Sequence, residues 1–219
     1  FAVPTGFLRF DPGGTAGVQR ASGFGDLEIQ GRYLLRRGMG YGLSVDLEAA
    51  LALPTGQSNF SAAEAGATAP PNILSLGRGA FGARTRVGLS KFVARNVGIR
   101  GWLGAGAPLT PNSNNISFGK LLSGGIGATY VASKSWILAP QVSTSFMTHS
   151  RSTENGELLN SGGFWLNTEL IASWKATDDF SVSATARLPL YRDVNGQQIT
   201  ETVTGLLQLA YRFGGEEEE

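Results

Sequence analysis

The sequence predicts an all-β protein, an up-and-down antiparallel transmembrane β-barrel of about ten strands in a single unit over residues 1–213. Three observations carry that prediction: long runs of alternating side chains, tight and extended connections that take turns along the chain, and a composition rich in glycine and poor in charge. Gly supplies 31 of the 219 residues and charged residues only 16%, where a globular domain usually carries about a quarter. So many glycines disfavour helices.

Period-2 alternation marks strands at 3–10, 24–36, 41–53, 79–93, 97–108, 119–132, 136–149, 163–176, 180–193 and 200–213. Most are about twice the usual globular strand length, and a tilted strand of roughly 9–11 residues crosses a bilayer. No helical stretch separates them, so neighbours pair antiparallel. The links 37–40, 95–96, 133–135 and 177–179 are short, whereas 11–23, 54–79, 109–118 and 150–162 are long. Outer-membrane barrels have this asymmetry, with short periplasmic turns and longer outer loops. The last outer link departs from it. Asn195-Gly196 reads as a type I′ turn, which sets Arg187 opposite Thr204, Ser183 opposite Gln208 and Phe180 opposite Tyr211.

The alternation sorts side chains onto two faces. Leu27, Ile29, Tyr33 and Leu35 share one face of 24–36, and Leu43, Val45, Leu47 and Leu51 one face of 41–53. A β-sandwich would alternate likewise, but it would leave two long edges that soluble proteins avoid. A closed barrel satisfies every backbone group in lipid. Tyr33, Tyr130, Trp174, Phe180, Tyr211 and Phe213 fall outward near the short-turn end, where an aromatic girdle belongs.

On the other face parity places Asp26, Glu28, Arg32, Asp46, Glu48, Arg84, Arg86, Arg100, Glu169, Arg187 and Arg212. A simple hairpin register sets Arg32 beside Asp46 and Gln30 beside Glu48, and sets Arg84 and Arg86 against Gly106 and Gly104, which leave room for long arms. Opposed walls of unlike charge can select solutes in an aqueous pore. They can equally pair off and fill a small barrel with ion pairs. Parity alone leaves both open.

Several classes of function are disfavoured. A net charge of +1 recruits no nucleic acid. The absence of cysteine removes disulfide scaffolds, thiol catalysis and zinc ribbons. No apolar stretch approaches the roughly 18 residues of a spanning helix, and residue 1 opens no basic and apolar leader, so an export signal is expected to be removed or never present. His149, the lone histidine, has Met147 and Arg151 on its face and Ser150 turned away, so no serine–histidine pair forms locally. Glu154 and Glu157 are the nearby loop carboxylates. No enzyme, metal or cofactor is expected. The glycine-rich pieces 77–82 and 123–128 open no helix and fit strand bends or close strand approach better than a phosphate loop. Residues 214–219, GGEEEE, read as a disordered acidic tail, an appended segment rather than a functional arm.

The stretches GFGDLEIQGRYLL, LEAALALPTG and ARLPLYRDVNGQQITETVTGLLQLAYRF resemble the Gram-negative outer-membrane barrel family associated with transport and with the meta pathway of phenol degradation. The resemblance runs from Gly23 to Phe213. It implies a barrel in the outer membrane of a Gram-negative bacterium, in contact with lipid, acting as a passive channel or transporter for small solutes. A plugged accessory barrel whose outer loops bind a protein partner is the alternative. Leu207, Leu209, Tyr211 and Phe213 resemble the C-terminal signal read by the barrel-assembly machinery. Family members tend to have about twelve strands, and ten are read here.

Overall fold

The computed structural model describes residues 5–10, 19–56, 77–196 and 203–211. Its strands are β1 (Thr5–Phe10), β2 (Gln19–Phe24), β3 (Leu27–Arg36), β4 (Ser44–Leu53), β5 (Gly82–Ala94), β6 (Val97–Pro108), β7 (Ile116–Ser117), β8 (Leu121–Val131), β9 (Trp136–Met147), β10 (Ser150–Ser152), β11 (Gly156–Leu158), β12 (Gly163–Lys175), β13 (Phe180–Val194) and β14 (Thr204–Tyr211). Nine of these form one antiparallel sheet in the order β14-β13-β12-β9-β8-β6-β5-β4-β3. Each strand neighbours the previous long strand in sequence, which is the up-and-down connection predicted.

Three differences from the sequence reading have physical causes. The stretch 11–23, read as a loop, holds all of β2 but Phe24, and β2 pairs with β1 in a separate two-stranded ribbon. Nine of the ten predicted strands therefore lie in the main sheet and the tenth in the ribbon. Among the described residues β3 and β14 form the two edges of the sheet, and no ladder joins them, so closure by that pair is not seen. The sheet nevertheless curls, because residues of β3, β4, β5, β6, β8 and β14 line one cavity of about 770 Å³.

The third difference is the last outer link. Gly196 has φ +61°, but Asn115 is the only non-glycine with positive φ among the described residues. Asn195 therefore does not adopt the left-handed geometry of a type I′ turn. Instead it joins the neighbouring loop, with its N–H 3.3 Å from the Gly162 carbonyl and its Nδ2 donating to Ser161 O at 3.0 Å. The β13–β14 register is as predicted, Arg187 with Thr204, Ser183 with Gln208 and Phe180 with Tyr211.

The long loops hold more structure than their composition suggests. β7, β10 and β11 form a three-stranded sheet that ties segment 109–120 to segment 148–162. Asn112 anchors it by accepting from the N–H groups of Asn114 and Ile116 through Oδ1. At the short-turn end Lys175 Nζ lies 2.6 Å from Asp178, whose carboxyl it holds below the ordinary carboxylate range.

The distribution of side chains inverts that of a soluble domain. Among the described residues the buried hydrophobics are Ala50, Ala80, Ile116 and Ala139, while Asp46, Glu48, Ser143 and Glu169 are buried polar groups. Leu47, Leu51, Val87, Leu103, Ile126, Phe146, Leu170 and Leu188 are exposed on the convex face.

Candidate functional site: the charged inner face

Backbone register decides which inner side chains meet. Arg32 lies opposite Glu48, not Asp46, and Gln30 lies opposite Ala50. A bulge between Leu34 and Arg36 moves the hairpin away from the simple register. The expected ion pair survives as a diagonal contact. Arg32 forks onto Asp46, with Nε 3.0 Å from Oδ1 and Nη2 3.0 Å from Oδ2, a bidentate geometry that fixes the guanidinium plane.

Glu48 is the hub of the next cluster. Its partner in register is Arg86, whose Nη2 is 2.8 Å from Oε2. Arg84 Nη2 lies 2.6 Å from Glu28 Oε1 and 3.7 Å from Glu48 Oε1. Arg84 and Arg86 stand opposite Gly106 and Gly104 as the sequence predicts. The Arg86 guanidinium also sits 5.4 Å from the centre of the Trp102 ring, within cation–π range. Trp102 is paired with Gly88 on one side and Gly125 on the other. A Cβ on Gly88 would lie 2.7 Å from an Asp46 oxygen, so that glycine makes the space the carboxylate occupies.

A second network follows one line of backbone register across seven strands: Ser90, Arg100, Gly127, Gln141, Glu169, Arg187 and Thr204. Arg100 passes over Gly127 to donate to Gln141 Oε1. Gln141 Nε2 donates to Glu169 Oε2 at 2.5 Å, Ser143 Oγ to Glu169 Oε1 at 2.6 Å, and Arg187 Nε to the same oxygen at 3.2 Å. The buried Glu169 thus accepts from three side chains, as a desolvated carboxylate requires.

Acidic and basic residues do not occupy opposed walls. They interleave on one continuous wall, and every ion pair in it links strands that are neighbours or next neighbours.

Asp26 has a different task from the other acids. Its Oδ1 accepts from the Gly56 N–H at 3.0 Å and its Oδ2 from the Arg78 N–H at 2.6 Å. Both ends of the long 54–79 link are thereby tied to the start of β3. Arg78 in turn lies over Phe118 of the next outer loop, 5.6 Å from the ring centre.

Sequence reasoning missed Gln141, Ser143 and Trp102. The first two were legible as inward-parity polar residues on β9, and Trp102 as an aromatic on a polar face. Arg212, Phe213, the Tyr211 side chain and residues 214–219 lie outside the described residues. Tyr33, Tyr130 and Trp174 are exposed on the outer face and Phe180 is half-buried there. Trp174 stacks on Trp136 with ring centres 6.3 Å apart, in register across β9 and β12. Of the loop carboxylates near His149, Glu157 pairs with Arg151 at 2.8 Å, and among the described residues no cluster of metal-ligating side chains forms.

Comparison of the coordinates with solved structures gives a match to the crystal structure of the COG4313 outer membrane channel from Pseudomonas putida F1, with a TM-score of 0.72 over 95% of this chain and 73% of that one. The fold is that of an outer-membrane channel barrel. At 14% sequence identity the likeness is one of architecture. No protein-family model and no curated relative matches the sequence.

Proposed function

We propose that the chain is a β-barrel channel of a Gram-negative outer membrane, passing small solutes along its charged inner face. The observation that carries this reading is the inversion of burial: carboxylates and hydroxyls inside, leucine, valine and isoleucine outside. A protein interior has no use for that arrangement, whereas lipid outside and water inside require it. Dimensions agree. The thirteen residues of β12 extend about 43 Å at a strand rise of about 3.3 Å per residue, and a tilt of about 45° brings this to about 30 Å, the thickness of the hydrocarbon layer. Tyr33, Tyr130, Trp174, Phe180, Tyr211 and Phe213 serve in this reading as the aromatic girdle at the periplasmic interface. Residues 1–213 act as one barrel. Its last strand, with Leu207, Leu209, Tyr211 and Phe213, is the segment handed to the barrel-assembly machinery.

The inner charges favour an open channel over a plugged accessory barrel. A plug of ion pairs would show pairs reaching across the lumen, and among the described residues the inner pairs run along the wall. Asp26, Glu28, Arg32, Asp46, Glu48, Arg84, Arg86, Arg100, Glu169 and Arg187 are in this view the lining that a permeating solute meets, and Arg212 is proposed to join them. Purified protein in planar bilayers gives discrete conductance steps if the reading holds. A folded, membrane-inserted protein that conducts no ions and admits no small sugar in liposome swelling overturns it and leaves the plugged barrel.

A further inference from the structure

The network contains five arginines, 32, 84, 86, 100 and 187, and four carboxylates, 28, 46, 48 and 169. The two kinds of charge do not face water equally. The side chains of Arg32, Arg84, Arg86 and Arg187 are 39–62% exposed, whereas the Asp46, Glu48 and Glu169 carboxylates they hold are 5–7% exposed, and Glu28 25%. Asp46 occupies space that Gly88 leaves, and the guanidiniums stand between the acids and the water.

We infer that the lumen prefers anions and that its solutes are small molecules bearing a carboxylate. The inference rests on the channel reading and specifies its substrate class. Each covered pair turns the positive end of its dipole toward the water; with Asp26 counted, the described residues of the lining named above hold five arginines and five carboxylates, so the preference comes from this orientation and not from net charge. In a narrow space walled by low-dielectric protein, such a field concentrates ions of opposite sign. Guanidinium suits the task, since its planar fork matches a carboxylate in two-point contact and stays charged at any working pH. Arg84 also borders the 770 Å³ cavity, with Asp26 and Glu28, whose carboxylates are held by the Gly56 and Arg78 amides and by Arg84 itself, and with Ala50, Ala52 and Leu121. The apolar part of that lining suits a solute with a modest apolar body.

The test is the reversal potential of the protein in a planar bilayer under a KCl gradient, repeated with potassium acetate. The expected result has the sign of anion permeation in both salts, and in Arg84→Gln/Arg86→Gln it moves toward the potassium limit. Glu28→Gln, which frees Arg84 from its most exposed partner, moves it the other way. A conducting wild-type protein that is cation-selective or unselective overturns this inference and leaves the channel reading intact. A protein that inserts and does not conduct overturns both. Because wild type alone decides the sign, the test survives a variant that fails to fold.

Discussion

Arg86 and Glu48 meet twice, once as directly paired residues of β5 and β4 and again as side chains 2.8 Å apart. Glu48 is nearly inaccessible and Arg86 faces the lumen, so the pair is half buried and half wet. Losing the acid strands both Arg86 and one contact of Arg84. Glu48→Gln is expected to cost about 2 kcal/mol, below the full loss for a buried pair because lumen water screens the arginine. Adding Arg86→Gln removes the stranded partner, so the double variant is expected to lose less than the two singles combined, by about 1 kcal/mol. Urea unfolding in lipid vesicles, followed by tryptophan fluorescence, measures the difference. Strict additivity would show that the pair is not coupled.

Two glycines separate the inner face from the outer. A Cβ on Gly127 would lie 2.7 Å from Gln141 Cβ and 2.7 Å from the Pro140 carbonyl, whereas one on Gly31 meets nothing within 4 Å. Gly127→Val is therefore expected to destabilise by about 2 kcal/mol through overpacking against backbone. It is also expected to break the Arg100–Gln141–Glu169 relay. Gly31→Val, on the outer face of β3, is expected to change stability by under about 0.5 kcal/mol. The same unfolding measurement compares them, and equal losses would contradict the inner-face packing.

How much of this was legible depends on what each connection had to absorb. The expected register, Arg84 with Gly106 and Arg86 with Gly104, is the one formed: the tight 95–96 turn pairs Ala94 with Val97, and the irregularity between Phe92 and Ala94 shifts the ladder by one residue to give it. The β13–β14 register was legible because it sets Phe180 against Tyr211, Val182 against Leu209 and Ala184 against Leu207, and the polar Ser183 against Gln208 and Arg187 against Thr204. The β3–β4 turn misled because its glycines let the backbone fold on itself. A Cβ on Gly38 would sit 2.2 Å from the Gly42 carbonyl oxygen, and Gly38 N–H donates to Ser44 Oγ. The turn thus takes in residues up to Leu43 before β4 begins, and with the bulge at Leu34 it moves Arg32 from Asp46 to Glu48. Parity survives such slips and pairing does not. The inward-facing set could therefore be read from sequence, whereas the identity of each partner, and the use of Asp26 as a loop tie, could not.

Asp26 accepts the Gly56 and Arg78 amides, so Asp26→Ala leaves two loop-base donors without their acceptor. Both lie at the mouth beside water, which limits the loss to about 1.4 kcal/mol of local stability. That corresponds to about tenfold faster hydrogen exchange at these amides. Exchange of the Leu27 amide, held by Thr55 Oγ1 at 2.8 Å, is expected to rise with them, because Thr55 rides on the same loop end. Mass-spectrometric exchange on the folded protein reads all three. Unchanged protection at Gly56 and Arg78 would mean that the carboxylate does not hold the loop.

The solvent outside the sheet can be tested at a single position. Ile126 is 72% exposed on the convex face of β8, midway along its strand. On a protein standing in water, Ile126→Arg would be nearly neutral, since an exposed isoleucine contributes little. In a bilayer the same change places a guanidinium among acyl chains near the midplane and costs about 2–4 kcal/mol. Ser123 on the same strand points inward, with Oγ 3.5 Å from the Gly104 carbonyl, and Ser123→Arg puts the identical charge in the lumen. The expected outcome is asymmetric. Ile126→Arg lowers the yield and stability of folded protein in vesicles, while Ser123→Arg folds and instead narrows conductance. Equal tolerance of both arginines in vesicles would place water on each side of the wall and remove the basis for a barrel in lipid.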